Sequence, residues 1–168
     1  MNEQQYVQMN EFLSSTKNRS TTIKALHDIL PIIMVVFYPV QLISLIFQYS
    51  YTDERFLKAL FVPLGVLIFV SALRYILNAK RPYEKFDYTP VVPKNTKGKS
   101  FPSRHTACAF IIAMTFLYVQ STSVGVIMLI LAALIGITRV LSGVHFVRDV
   151  IGGAVIGIAT GTICFFVI

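Results

Sequence analysis

His145 and Asp149 stand four residues apart. At a helix start that spacing puts both on one face. The carboxylate can then bond one imidazole nitrogen and leave the other free as a base or nucleophile. His105 opens a different apolar segment. Two histidines with different partners allow a division of labour between nucleophile and general acid. Arg74, Arg81 and Arg139 accompany them. Guanidinium groups are planar donors matched to phosphate oxygens, and several together make a preorganised cage for a phosphoryl transition state. Ser103 suits a helix N-cap, and the free amides of a helix N-terminus form an anion site. A lone Arg74 or Arg139, each near the end of an apolar run, would be read as snorkelling to lipid phosphates. Convergence with a serine and two histidines favours a phosphate site instead.

Other reactive residue types have plainer readings. His27 has no such company and is read as an interfacial residue. Cys108 and Cys164 sit inside apolar runs and are read as small buried apolar residues. No carboxylate cluster or Cys/His set has the spacing of a metal site, so neither metal nor cofactor is expected.

The segments that must position these residues are apolar. The 168 residues are 55% hydrophobic and 14% charged, more apolar than a soluble domain of this length needs to bury a core. Five runs stand out, at about 29–47, 57–77, 103–120, 124–141 and 150–168. A spanning helix needs ~20 mostly apolar residues, and the runs lack period-two alternation, so helices are expected. Gly153, Gly157 and Gly161 share one face of the last run and allow close helix packing. Residues 1–26 are polar and contain no long apolar stretch of a cleavable leader, so internal segments are expected to direct membrane entry. Two readings fit this stretch: an interfacial amphipathic helix with Tyr6, Met9 and Leu13 on one face, or a polar tail. The expected fold is all-α, one domain over 1–168: a polytopic membrane helix bundle of about five spans plus an N-terminal amphipathic helix.

The net charge of +7 admits nucleic acid, anionic lipid or a phosphorylated substrate as partner. The placement of the charges decides among them. The connection 78–102 holds six Lys or Arg residues. With five spans it faces the same compartment as the 142–149 loop and the N-terminus. Charge and chemistry therefore share one membrane surface. Lipid phosphate and membrane lipids are the expected partners, and nucleic acid is not.

Three stretches carry a resemblance: Arg74-x6-Arg81-Pro82, then Pro102-Ser103-Arg104-His105, then Thr138-Arg139-x5-His145-x3-Asp149. In order and internal spacing they resemble the signature of the type 2 phosphatidic acid phosphatase superfamily, which includes vanadium haloperoxidases. That pattern is Lys-x6-Arg-Pro, Pro-Ser-Gly-His and Ser-Arg-x5-His-x3-Asp. Arg74 stands for the Lys and Thr138 for the Ser, each keeping the chemistry. Arg104 stands for the Gly, adding bulk and a charge, and is expected to narrow the substrate range or bind a second anionic group.

The resemblance implies that His145 attacks phosphorus to form phosphohistidine. His105 would protonate the leaving oxygen and then activate water, with Asp149 orienting His145. Arg74, Arg81, Ser103 and Arg139 would hold the phosphate oxygens without metal. It also implies a multi-pass cell-membrane protein. Membrane members of the family usually have six spans, so the first of these would be absent here or replaced by the amphipathic helix.

The basic loop and Arg104 point to undecaprenyl pyrophosphate. Phosphatidylglycerophosphate and phosphatidate are alternatives, and a phosphotransferase would use the same residues. Five apolar spans argue against a soluble haloperoxidase. A non-enzymatic transporter or scaffold gives no reason for His105, His145 and Asp149 at these spacings. The resemblance puts the active site on the outer face, whereas the positive-inside rule points to the cytoplasm. The outer face is the expectation adopted. Oligomeric state is left open.

Overall fold

The computed structural model describes residues 1–86 and 88–168. Helices α1 (Glu3–Ser14), α2 (Lys17–Gln48), α3 (Glu54–Leu77), α4 (Pro82–Lys85), α5 (Arg104–Val119), α6 (Thr122–Leu141) and α7 (Val147–Thr162) follow in order, and the π-helical turn Ile163–Val167 continues α7. The protein is an all-α polytopic bundle. The Asp53 carboxylate caps α3 by accepting the Arg55 N–H at 2.8 Å. Asn78 ends that helix in the left-handed region, at φ 37°. Arg74 and Arg139 lie in the last turns of α3 and α6, where the helix dipole favours a cation.

Among the described residues, four helical stretches are long and apolar enough to cross a membrane, beginning at Lys17, Glu54, Thr122 and Val147. The fifth apolar helix, α5, has 16 residues, roughly 24 Å at 1.5 Å per residue. It is the central helix, packed against α2, α3, α6 and α7, and Ala107, Ile111 and Ala113 on it are fully buried. Large apolar side chains elsewhere point outward, among them Ile32, Val36 and Val40 on α2, Ile68 on α3, and Ile127 on α6. Such a surface belongs in hydrocarbon.

The glycine face of α7 meets α5. A methyl group on Gly157 would fall 2.8 Å from the Ala107 carbonyl oxygen, and one on Gly153 would fall 2.6 Å from that of Ser103. The two backbones touch, which no larger residue permits.

One boundary and one buried face differ from the sequence expectation. Helix α2 begins at Lys17, well before the apolar run. Its buried stripe, Ile23, His27, Met34, Gln41 and Leu45, crosses the polar–apolar boundary at helical spacing, so packing extends the helix beyond its greasy part. Helix α1 is formed, but Tyr6 is buried against protein and Asn10 joins it. Its inner face docks on the loops at the top of the bundle. The Tyr6 hydroxyl accepts the Val147 N–H at 2.9 Å, and Asn10 Oδ1 accepts the Val91 N–H at 3.2 Å. Tyr6, Phe86 and Phe146 form an aromatic cluster with centroids 5.5–5.9 Å apart.

Candidate active site

The site is built where the 78–102 connection meets the loop between α6 and α7. Arg81 joins them: its Nε donates to the Gly98 carbonyl at 3.1 Å and its Nη1 to the Val144 carbonyl at 3.2 Å. Glu84 closes the first loop on itself, accepting the N–H groups of Arg81 and Gly98. Gly98 has φ +63°, which glycine adopts without strain. Arg74 reaches the Pro102 carbonyl at 2.8 Å. Each arginine commits part of its donor set to backbone carbonyls, which fixes the side chain and leaves the rest for an anion.

His145 is 2% exposed and Asp149 is fully buried. Asp149 lies in the first turn of α7, and its Oδ2 accepts from the Phe146 N–H at 3.0 Å and the Ser100 hydroxyl at 2.5 Å. The same oxygen lies 3.5 Å from His145 Nδ1, longer than a formed hydrogen bond but on that side of the ring. His145 lines the pocket, and with Nδ1 on the Asp149 side, Nε2 is the nitrogen available to a ligand. Burial, reinforced by the charge of Arg81, pushes the imidazole down to about 4, against the opposing pull of Asp149. The imidazole is therefore neutral, as a nucleophile must be.

The pocket has a volume of about 370 Å³. Arg74, Arg81, Lys94, Lys99 and Arg104 line it together with both His105 and His145, and among the described residues no carboxylate does. The field is strongly positive. Burial first, and then Arg81, Arg139, Arg74 and Arg104, hold the Lys94 ammonium below its ordinary value. Two apolar hollows lie next to the pocket, on the side of the membrane interior. The first shares His105 with the pocket and is also lined by Pro31, Met34 and Ile135. The second shares Val35, Cys108 and Ile112 with the first and runs between α2, α3 and α5 past Tyr38, Leu64 and Leu67.

Of the residues singled out in the sequence, Arg74, Arg81, Arg104, His105 and His145 line the pocket. Asp149 stands behind His145. Ser103 occupies the N-cap position of α5 but makes no side-chain cap bond. It is fully buried, its hydroxyl accepts from Thr106 at 2.9 Å, and its N–H donates to the Asp149 carbonyl at 2.8 Å. Arg139 lies behind the pocket wall, 3% exposed, with its guanidinium on His27. His27 is thus no interfacial residue. It is 6% exposed and belongs to the inner stripe of α2. Sequence reasoning missed Ser100, for which no local pattern exists, and Lys94 as a pocket residue. His27 carried a usable signal: it keeps helical register with Ile23 and Met34 and stands four residues before Pro31.

The chain belongs to the PAP2 superfamily, whose profile matches residues 55–168. It is similar to the Bacitracin transport permease protein BcrC of Bacillus licheniformis, with 38% identity over 88 residues, covering 50% of this chain and 42% of the relative. It is similar also to Phosphatidylglycerophosphatase B of Bacillus subtilis strain 168, with 39% identity over 82 residues, covering 43% of this chain and 39% of the relative. The matched stretch thus spans about two fifths of these relatives' length. Among solved structures, Aquifex aeolicus LpxE superposes with a TM-score of 0.72 at 28% identity, over 97% of this chain and 93% of the other. A transmembrane PAP2 type phosphatidylglycerolphosphate phosphatase from Bacillus subtilis gives 0.69 at 20% identity, over 96% and 83%, which is likeness of fold. The protein is a multi-pass membrane protein.

Proposed function

We propose that this chain, acting as one domain over 1–168, hydrolyses a lipid phosphate or pyrophosphate without metal. The observation that carries this reading is the join at His105. On one side lies a five-cation pocket holding a buried, neutral His145, and on the other an apolar path into the membrane. A phosphate on a hydrocarbon chain fits both halves. His145 Nε2 forms the N–P bond as the bond from that phosphorus to the leaving oxygen breaks, the lipid's own oxygen in a monoester and the bridging oxygen in a pyrophosphate. His105 delivers the proton to that oxygen. Water then attacks phosphorus, gives its proton to His105, and releases phosphate from His145. Arg74, Arg81 and Arg104 bind the non-bridging oxygens from the pocket wall, and Arg139 and Ser103, set behind that wall, complete the set of phosphate ligands.

Five cations exceed the charge of a monoester, which favours undecaprenyl pyrophosphate as substrate, with the outer membrane face as the site of reaction. Phosphatidylglycerophosphate is the second reading, favoured by the name of the B. subtilis relative. The test is phosphate release by purified protein from matched lipid pyrophosphates and monophosphates. Turnover should survive EDTA and be inhibited by orthovanadate. Loss with EDTA and recovery with magnesium would overturn the mechanism. A cysteine placed at Lys97 should react with an impermeant thiol reagent on intact cells. Reaction only after lysis would put the site in the cytoplasm and move phosphatidylglycerophosphate ahead.

A further inference from the structure

Arg139 is held by a part of the chain outside the family match, on a helix more than a hundred residues away in sequence. Its Nη2 donates to the His27 carbonyl at 3.0 Å, and its Nη1 lies against the His27 ring, 2.5 Å from Nε2 and 3.3 Å from Nδ1. Both acceptors have a chemical origin in α2. Inside an α-helix the carbonyl of residue i accepts from the N–H of residue i+4. Residue 31 is proline and has no N–H, so the carbonyl of residue 27 is left without its helical partner. Arg139 supplies the missing donor. The ring lies against Nη1 beside that bond, and because guanidinium only donates, a ring nitrogen that accepts from it must carry a lone pair. His27 and Pro31 together make a seat for one edge of a guanidinium.

The other edge of Arg139 is open. Its Nε is buried and has no hydrogen-bond partner among the described residues. A buried, unpaired donor of a cation is costly to keep. Here it stands behind the lining of a pocket made for anions, close enough for its charge to act on Lys94 in that lining. We propose that His27 is a positioning residue for Arg139, seating the guanidinium's outer edge on α2 so that its Nε edge is presented to a phosphate group. This rests on the reading of Arg139 as a phosphate ligand. It differs from that reading in assigning a role to a residue outside 55–168.

The test is a double-mutant cycle on the full chain in detergent, reading inhibition by orthovanadate and the split between kcat and KM. Arg139→Ala should weaken orthovanadate by ~10-fold or more, the scale of one charge-assisted hydrogen bond. His27→Ala should weaken it by a comparable factor, and His27→Ala with Arg139→Ala by no more than Arg139→Ala alone. His27→Gln, whose amide oxygen can accept in place of Nε2, should recover most of the affinity. If Arg139→Ala matters and His27→Ala does not, the proposal fails while the role of Arg139 stands. It fails equally if the His27 loss is undiminished in the Arg139→Ala background. If Arg139→Ala is itself silent, the reading beneath the proposal is the one that fails. Should His27→Ala not fold, Pro31→Ala carries the cycle. It restores a competing N–H for the 27 carbonyl and should lower affinity only when Arg139 is present, whereas unchanged affinity overturns the seat.

Discussion

The two histidines of the pocket live in opposite surroundings. His145 is buried, backed by a carboxylate that two further donors hold in place, and its backbone N–H is tied to the Arg139 carbonyl. His105 is exposed at the start of α5, at the junction of the cationic pocket and the apolar hollow. A nucleophile gains from a fixed ring in one protonation state, because its attack angle decides the rate. A group that gives a proton in one step and takes one in the next must stay open to the leaving oxygen and to water. On the proposed mechanism, the same side chain type is made into two tools by its surroundings.

Removing the buried tool should have the largest effect. His145→Ala is expected to abolish phosphate release while the protein still purifies as a folded bundle. Acid-labile phosphate should be trapped on the wild type and not on the variant, and ordinary turnover by the variant would refute the assignment. Next comes the support behind it. Ser100→Ala removes one charge-assisted hydrogen bond from Asp149 and should lower kcat by about 10–100-fold, with KM little changed. A loss confined to KM would show that Ser100 acts on the substrate instead.

A third effect follows from the charge state of His145. Its value near 4 in the folded protein lies below the ~6.5 of an unfolded chain, so protons favour unfolding. The stability tied to its neutral form is whole above about 6.5 and is lost as pH falls toward 4. Thermal unfolding in detergent should show a midpoint that drops over this window more in wild type than in His145→Ala. Equal drops would assign the pH dependence to other groups. The smallest effect belongs to the exposed rim: Arg104→Gly should weaken a lipid pyrophosphate more than the matching monophosphate, by roughly tenfold. Equal losses on both would make Arg104 part of the loop's structure.

What the sequence made legible follows from which interactions are local. His145 and Asp149 lie within one turn of the α7 start, so spacing alone places them side by side. The five apolar helices are equally local, since their solvent is written in composition. The start of α2 was not legible, because the polar residues 17–28 are helical on account of what Ile23 and His27 pack against. The Ser100–Asp149 bond joins residues 49 apart, and the Arg139–His27 contact residues 112 apart. Neither leaves a mark in any window of sequence. The inward face of α1 was half legible: period marked Tyr6, Met9 and Leu13, but only the folded loops show that protein covers it.

The glycine seam between α5 and α7 has a mechanical meaning. The Gly153 contact lies at the Ser103 carbonyl, close to the starts of the two helices that carry His105 and Asp149. Backbone resting on backbone cannot be compressed and has no rotamers to relax, so the seam fixes the spacing between the helix starts that carry His105 and Asp149. A methyl added at Gly153 would lie 2.6 Å from the Ser103 carbonyl oxygen and 3.1 Å from the Ala107 nitrogen, so the helix starts themselves would have to part, moving the residues they position.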